Sequence, residues 1–82
     1  MIKLIKVIAL PAYQLEVEYA DGIRGVVSLA ERLFGPVFEP LRDPLFFAQV
    51  YLDEFGVVAW PNGADLAPDA IYRQLTAKQK AG

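Results

Sequence analysis

The sequence predicts an α+β fold: a small antiparallel sheet of about five strands, made from two hairpins and an N-terminal strand, with short helices and a C-terminal helix. Three observations carry this expectation. Tyr13, Leu15, Val17 and Tyr19 alternate with Gln14, Glu16 and Glu18 in a period of two, and Asp21-Gly22 follows as a tight turn into a second apolar run. Val50-Tyr51-Leu52 and Gly56 to Trp60 are β-branched and aromatic runs of strand length around the loop Asp53-Glu54-Phe55-Gly56. Ala67-Pro68-Asp69 then reads as a helix start, with proline at the first helical position and an acid where the helix dipole favours one. At 82 residues there is room for a single domain, 1–82.

Taken in order, Ile2 to Leu10 is apolar on both parities apart from Lys3 and Lys6, which marks a strand covered on one face and partly on the other. Pro11 bends the chain into the alternating run. Ile23 to Ser28 is the return strand, and Gly25 within it marks a bulge or a neighbour packed closely upon it. Ser28-Leu29-Ala30-Glu31 has the form of a capping box and predicts a helix over 29–34, stopped by Gly35-Pro36. Val37 to Leu41 reads as a further helical turn, and Asp43-Pro44 starts another helix over 44–48. These turns are expected to lay Leu33, Phe34, Phe38, Leu41, Phe46 and Phe47 across the sheet as a lid. The second hairpin comes next and ends at Trp60-Pro61, because proline has no N–H for a ladder. Asn62-Gly63 is a strong turn dipeptide. The terminal helix from Pro68 turns Ile71 and Leu75 inward and Arg73, Lys78 and Lys80 outward.

Composition excludes several kinds of chemistry. Cysteine and histidine are both absent, which removes disulfides, thiolate nucleophiles, the usual zinc, copper and iron ligands, and any side chain that ordinarily titrates near neutrality. Ser28 and Thr76 are the sole hydroxyls of their kind, and no imidazole is present to activate either. Gly22-Ile23-Arg24-Gly25 lacks the lysine and helix of a phosphate loop. Glu16, Glu18, Asp53 and Glu54 fall on a wet strand face and a hairpin tip, where carboxylates behave ordinarily. A metal site at Asp65 and Asp69 lacks the dense oxygen-ligand spacing that calcium needs, so neither metal nor cofactor is expected.

Formal charge is −2, from 10 acids and 8 bases, so the chain carries no overall field to attract a polyanion. Lys3, Lys6, Arg73, Lys78 and Lys80 would form a local basic patch if the termini met, but they read more simply as a solvated face and tail. Lys3 and Lys6 also interrupt what would be the apolar core of a signal peptide, and no apolar stretch reaches the ~20 residues of a membrane span. A cytoplasmic address is the expectation. Hydrophobic residues make up 55% and aromatics 12% of the chain, against roughly 45–50% apolar residues in an average soluble domain. Either the small core is dense, or part of this apolar surface meets another chain.

Trp60-Pro61-Asn62-Gly63-Ala64-Asp65, followed by Pro68-Asp69 and Tyr72, resembles the signature of a family of short bacterial proteins known as domain of unknown function 2442. The likeness extends over most of the chain, from the first strand and its Pro11 through the Asp21-Gly22 turn and the Leu41-to-Phe47 segment. It implies a compact α+β domain without an established activity. Similar members carry an added helix-turn-helix part, and others resemble components of toxin–antitoxin-like gene pairs.

Trp60, Asn62, Asp65 and Asp69 come nearest to a functional constellation, with an aromatic platform, an amide and two carboxylates close together in sequence. As a site they form a ligand or partner pocket anchored by Asp65. As structure, Trp60 fills the core, Asn62-Gly63 turns the chain and Asp65 accepts backbone N–H bonds around that turn. Turn chemistry accounts for every residue type present, which favours the structural reading. The expected function is therefore a non-catalytic protein-interaction or regulatory module, binding a protein partner or itself through a sheet edge and an apolar patch. The alternatives are an accessory role in nucleic-acid-linked transcriptional regulation and small-ligand binding at the Trp-Pro-Asn-Gly turn.

Overall fold

The computed structural model describes residues 3–80, with 77–80 described by their backbone alone. Six strands form two separate three-stranded antiparallel meanders: β1 (Leu4–Leu10), β2 (Gln14–Tyr19) and β3 (Arg24–Ser28) in one, β4 (Tyr51–Leu52), β5 (Val58–Ala59) and β6 (Asp65–Leu66) in the other. The expected single sheet of five strands is thus corrected. The added strand is β6, which follows the Asn62-Gly63 turn and pairs Val58 with Leu66 and Ala59 with Asp65. Two residues are too short to show a period, so β6 leaves no mark in the sequence pattern.

In the first meander the register Val7–Val17–Gly25 and Ala9–Leu15–Val27 sets one face inward. Leu15, Val17 and Tyr19 on it are fully buried, while Glu16 and Glu18 lie on the other face. The bulge falls in β1, between Leu4 and Lys6, where the pairing register shifts. Gly25 marks a close neighbour instead: a Cβ there would stand 2.9 Å from a methyl of Leu75. The C-terminal helix α2 (Pro68–Lys80) lies against β3 at that point and buries Ile71 and Leu75, with Arg73 exposed as expected. The side chains of Lys78 and Lys80 lie outside the described residues.

Between the meanders the chain runs through short turns. The Ser28 capping box does not form a helix over 29–34: a single 3₁₀ turn, Ala30–Arg32, is preceded by Leu29 and has no side-chain cap. Ser28 is the last residue of β3 and the ladder reaches Leu29, whose N–H donates to the Tyr13 carbonyl at 2.9 Å, so only one turn of chain remains before Gly35-Pro36. A second 3₁₀ turn covers Glu39–Arg42. Helix α1 (Pro44–Phe47) begins as predicted, with the Asp43 carboxylate accepting from the Leu45 N–H at 3.0 Å. Leu33, Leu41 and Phe47 of the expected lid are buried, but Phe34 is 67% exposed. One apolar cluster joins the inner face of the first meander, Val58 and Trp60 of the second, these lid residues and α2.

Candidate functional site

The stretch from Val58 to Asp69 is built around a hairpin loop. The Gly63 N–H donates to the Trp60 carbonyl at 3.0 Å, and the Trp60 N–H donates to the Ala64 carbonyl at 2.9 Å. Pro61 suits the second position of such a turn, and Gly63, at φ 92°, takes the left-handed conformation that closes it. Asn62 does not adopt the left-handed region; its side chain does the work. Its Oδ1 accepts from the Ala64 N–H at 3.1 Å across the turn, and its Nδ2 donates to the Val37 carbonyl at 2.8 Å. The loop is therefore tied to the segment before α1.

Trp60 is 1% exposed. Its Nε1–H donates to the Phe47 carbonyl at 2.9 Å, and its ring lies 5.8 Å from that of Phe47, centroid to centroid. No aromatic platform faces solvent at this position. Asp65 is exposed on β6, and among the described residues the backbone N–H of the turn is taken by Asn62, not by Asp65 as expected. Asp69 is exposed in the first turn of α2. The four residues thus divide: Trp60 is buried, Asn62 is exposed but commits its amide to backbone groups, and the two carboxylates face water.

Sequence reasoning missed a second cluster, at the junction of α2 with the β2–β3 turn. The buried Tyr19 hydroxyl donates to the Pro68 carbonyl at 2.7 Å, the Tyr72 hydroxyl donates to Asp21 Oδ2 at 2.9 Å, and the two rings meet edge to face at 4.9 Å. Burial, with the Asp69 carboxylate adding to it, pushes the Tyr19 phenol up to about 12. The bond to Asp21 likewise raises Tyr72. The alternation of β2 placed Tyr19 on the inner face, but nothing local names Pro68 as its partner. These contacts lock the helix to the sheet.

Concavities lie elsewhere, a small one of ≈ 200 Å³ along Glu16, Arg24, Gly25 and Val26 and two larger ones. An open apolar groove of ≈ 320 Å³ runs between Ala9–Tyr13 and the α1 residues Pro44, Phe47 and Ala48. A more polar cleft of ≈ 400 Å³ is lined by Ser28, Ala30, Glu31, Arg32 and Gln74. None of Trp60, Asn62, Asp65 and Asp69 borders any of these. Among the described residues no three metal-ligating side chains gather in one place, and no helix is long and apolar enough to cross a membrane.

Fold and site together define a small α+β domain of two meanders whose most distinctive loop is consumed by its own packing. The chain belongs to the DUF2442 family, proteins of unknown function, whose profile matches residues 4–77. Among solved structures it is similar to the crystal structure of NE0471 from Nitrosomonas europaea ATCC 19718, a protein whose name proposes that it binds DNA. The two share 28% identity and a TM-score of 0.83, over 98% of this chain and 52% of that one. The chain thus spans about half the length of this neighbour. No curated protein matches it.

Proposed function

We propose that this domain is a non-catalytic interaction module of a regulatory protein, which binds a protein partner or a second copy of itself. The observation that carries this reading is the exposure of large apolar side chains: Leu45 at 80%, Phe55 at 74% and Phe34 at 67%. A single exposed leucine is ordinary, but aromatic side chains left this open in so small a domain favour a covering partner. The reactive groups offer little in competition. The Tyr13, Tyr19 and Tyr72 hydroxyls donate to Arg42, Pro68 and Asp21, and the Thr76 hydroxyl donates back to the Tyr72 carbonyl at 3.0 Å.

Mild affinity capture of the tagged chain from its host tests this reading. A protein that co-elutes in stoichiometric amount, or a second copy, is the expected result; a bare monomer that retains nothing contradicts it.

A second reading is favoured by the likeness to NE0471: the module serves a DNA-reading partner or half. With a net charge of −2, the domain itself is poorly suited to hold phosphates. On this reading it regulates the DNA-binding part and does not contact the duplex alone. Isolated domain that itself bound duplex DNA, or a captured complex free of any DNA-binding protein, would count against it.

A further inference from the structure

Strand β3 is paired on one side only, with β2. Two bonds fix which of its backbone groups face β2: the Tyr19 N–H donates to the Ile23 carbonyl at 2.8 Å, and the Leu29 N–H donates to the Tyr13 carbonyl at 2.9 Å. In an antiparallel ladder the hydrogen-bonded pairs alternate, so Gly25 and Val27 also bond to β2, while the N–H and C=O groups of Arg24, Val26 and Ser28 point away from it. Among the described residues no other backbone group pairs with these three, and all three are exposed. Such a row of free donors and acceptors is a template for another strand.

The end of this edge bears a second unsatisfied feature. Ser28 borders the polar cleft that also holds Glu31, Arg32 and Gln74, and the Gln74 Oε1 atom is buried without a hydrogen-bond partner among the described residues. A buried acceptor of this kind calls for a donor.

We infer that β3 is a self-association edge, and that its occupant is β3 of a second copy, paired antiparallel about a two-fold axis through Val26. In this register Val26 faces Val26, Arg24 faces Ser28 twice over, and each facing pair exchanges two backbone hydrogen bonds. Any other register leaves at least one of the outward groups unmatched. Charge supports the second copy as the partner. The register brings the guanidinium of Arg24, with its N–H donors, beside Ser28 at the rim of the cleft that carries the Glu31 carboxylate. Arg32 shares that rim and the Gln74 oxygen is buried, so the match rests on the Glu31 carboxylate, which Arg24 reaches in addition to Glu18, its neighbour across β2 in its own chain. The two Arg24 side chains stand about four residues apart along the strands, roughly 13 Å, where salt screens their repulsion. This inference rests on the reading of the domain as an interaction module and adds a surface separate from the exposed Phe34, Leu45 and Phe55.

The test is the mass of the untagged chain by analytical ultracentrifugation across a concentration series, with three sets of variants. The wild type is expected at twice 9.1 kDa. Val26→Pro is expected to be monomeric with an unchanged circular-dichroism spectrum, since the N–H it removes is unused within the domain. Arg24→Glu is expected to weaken association at least tenfold, and Arg24→Glu with Glu31→Arg to recover most of it; this pair carries the test if the proline variant unfolds. Val26→Cys, in a chain with no other cysteine, is expected to cross-link as a dimer on oxidation. A wild type that stays at 9.1 kDa at high concentration overturns the inference, even if its edge then accepts an added peptide strand. So does a dimer indifferent to these substitutions. A monomer that still captures another protein refutes this pairing alone, whereas a monomer that captures nothing refutes the module as well.

Discussion

Trp60 shows how a residue that looks like a binding platform is committed to the core. Its indole N–H donates to the Phe47 carbonyl, which also accepts from the Val50 N–H at 3.3 Å, so the substitution Trp60→Phe removes ring volume and one of that carbonyl's two hydrogen bonds. We expect a loss of about 2–3 kcal/mol in a urea melt. Ala12 should respond in the opposite direction. It sits at φ 64° beside Tyr13 at φ 59°, a left-handed pair that costs side chains with a Cβ and is held by the Tyr13 hydroxyl on the Arg42 carbonyl. Ala12→Gly should raise stability by about 0.5–1 kcal/mol, once the added chain entropy of glycine is set against the relieved strain. Tyr19 ties stability to pH. Its phenol titrates at about 12 when folded, against the ordinary value of 10.0. The unfolded chain thus loses its proton first, and the contribution of Tyr19, complete below pH 10, should fall away as pH rises toward 12. A series of thermal melts through this window measures it, and Tyr19→Phe should flatten the decline. Burial of Trp60 and Tyr19 was legible from residue type and alternation. Their partners Phe47 and Pro68 were not, because each comes from a different element and is named by no local pattern.

At the scale of elements, three of the four hairpins share one device. Tyr19-Ala20-Asp21-Gly22, Asp53-Glu54-Phe55-Gly56 and Trp60-Pro61-Asn62-Gly63 each close with the glycine N–H donating to the first residue's carbonyl at 3.0 Å, and with the glycine at positive φ. A Cβ on Gly63 would meet nothing within 4 Å, so Gly63→Ala should cost only the backbone strain, about 1–2 kcal/mol by chemical denaturation. In the Asp53 loop a carboxylate oxygen also accepts from the Phe55 and Val57 N–H groups at 2.8 and 2.9 Å. This explains why an acid stands at that hairpin tip. The turns were the most legible part of the chain, because their residue types report backbone conformation directly. The stretch 29–34 was misread because a local capping signal at Ser28 competes with the strand ladder, which holds Ser28 in β3 and the Leu29 N–H on the Tyr13 carbonyl, and the ladder wins.

For the whole molecule, the division into two meanders was not legible. Strand β1 runs near β4, yet the ladders remain separate, and sequence periodicity gives the facing of a strand without its neighbour. The general class, a small α+β domain closed by a C-terminal helix, followed from the turn and period signals that each element shows. The site was legible only as a list of residue types. In the fold, two of the four are spent on folding, and the unsatisfied groups lie instead on β3 and the Gln74 cleft. The central claim is that this domain works by binding another chain. Light scattering on the tagged chain, captured gently from its host, tests that claim most directly. We predict a complex that exceeds the mass of one tagged chain and consists of protein; a lone tagged monomer that holds no partner would contradict it.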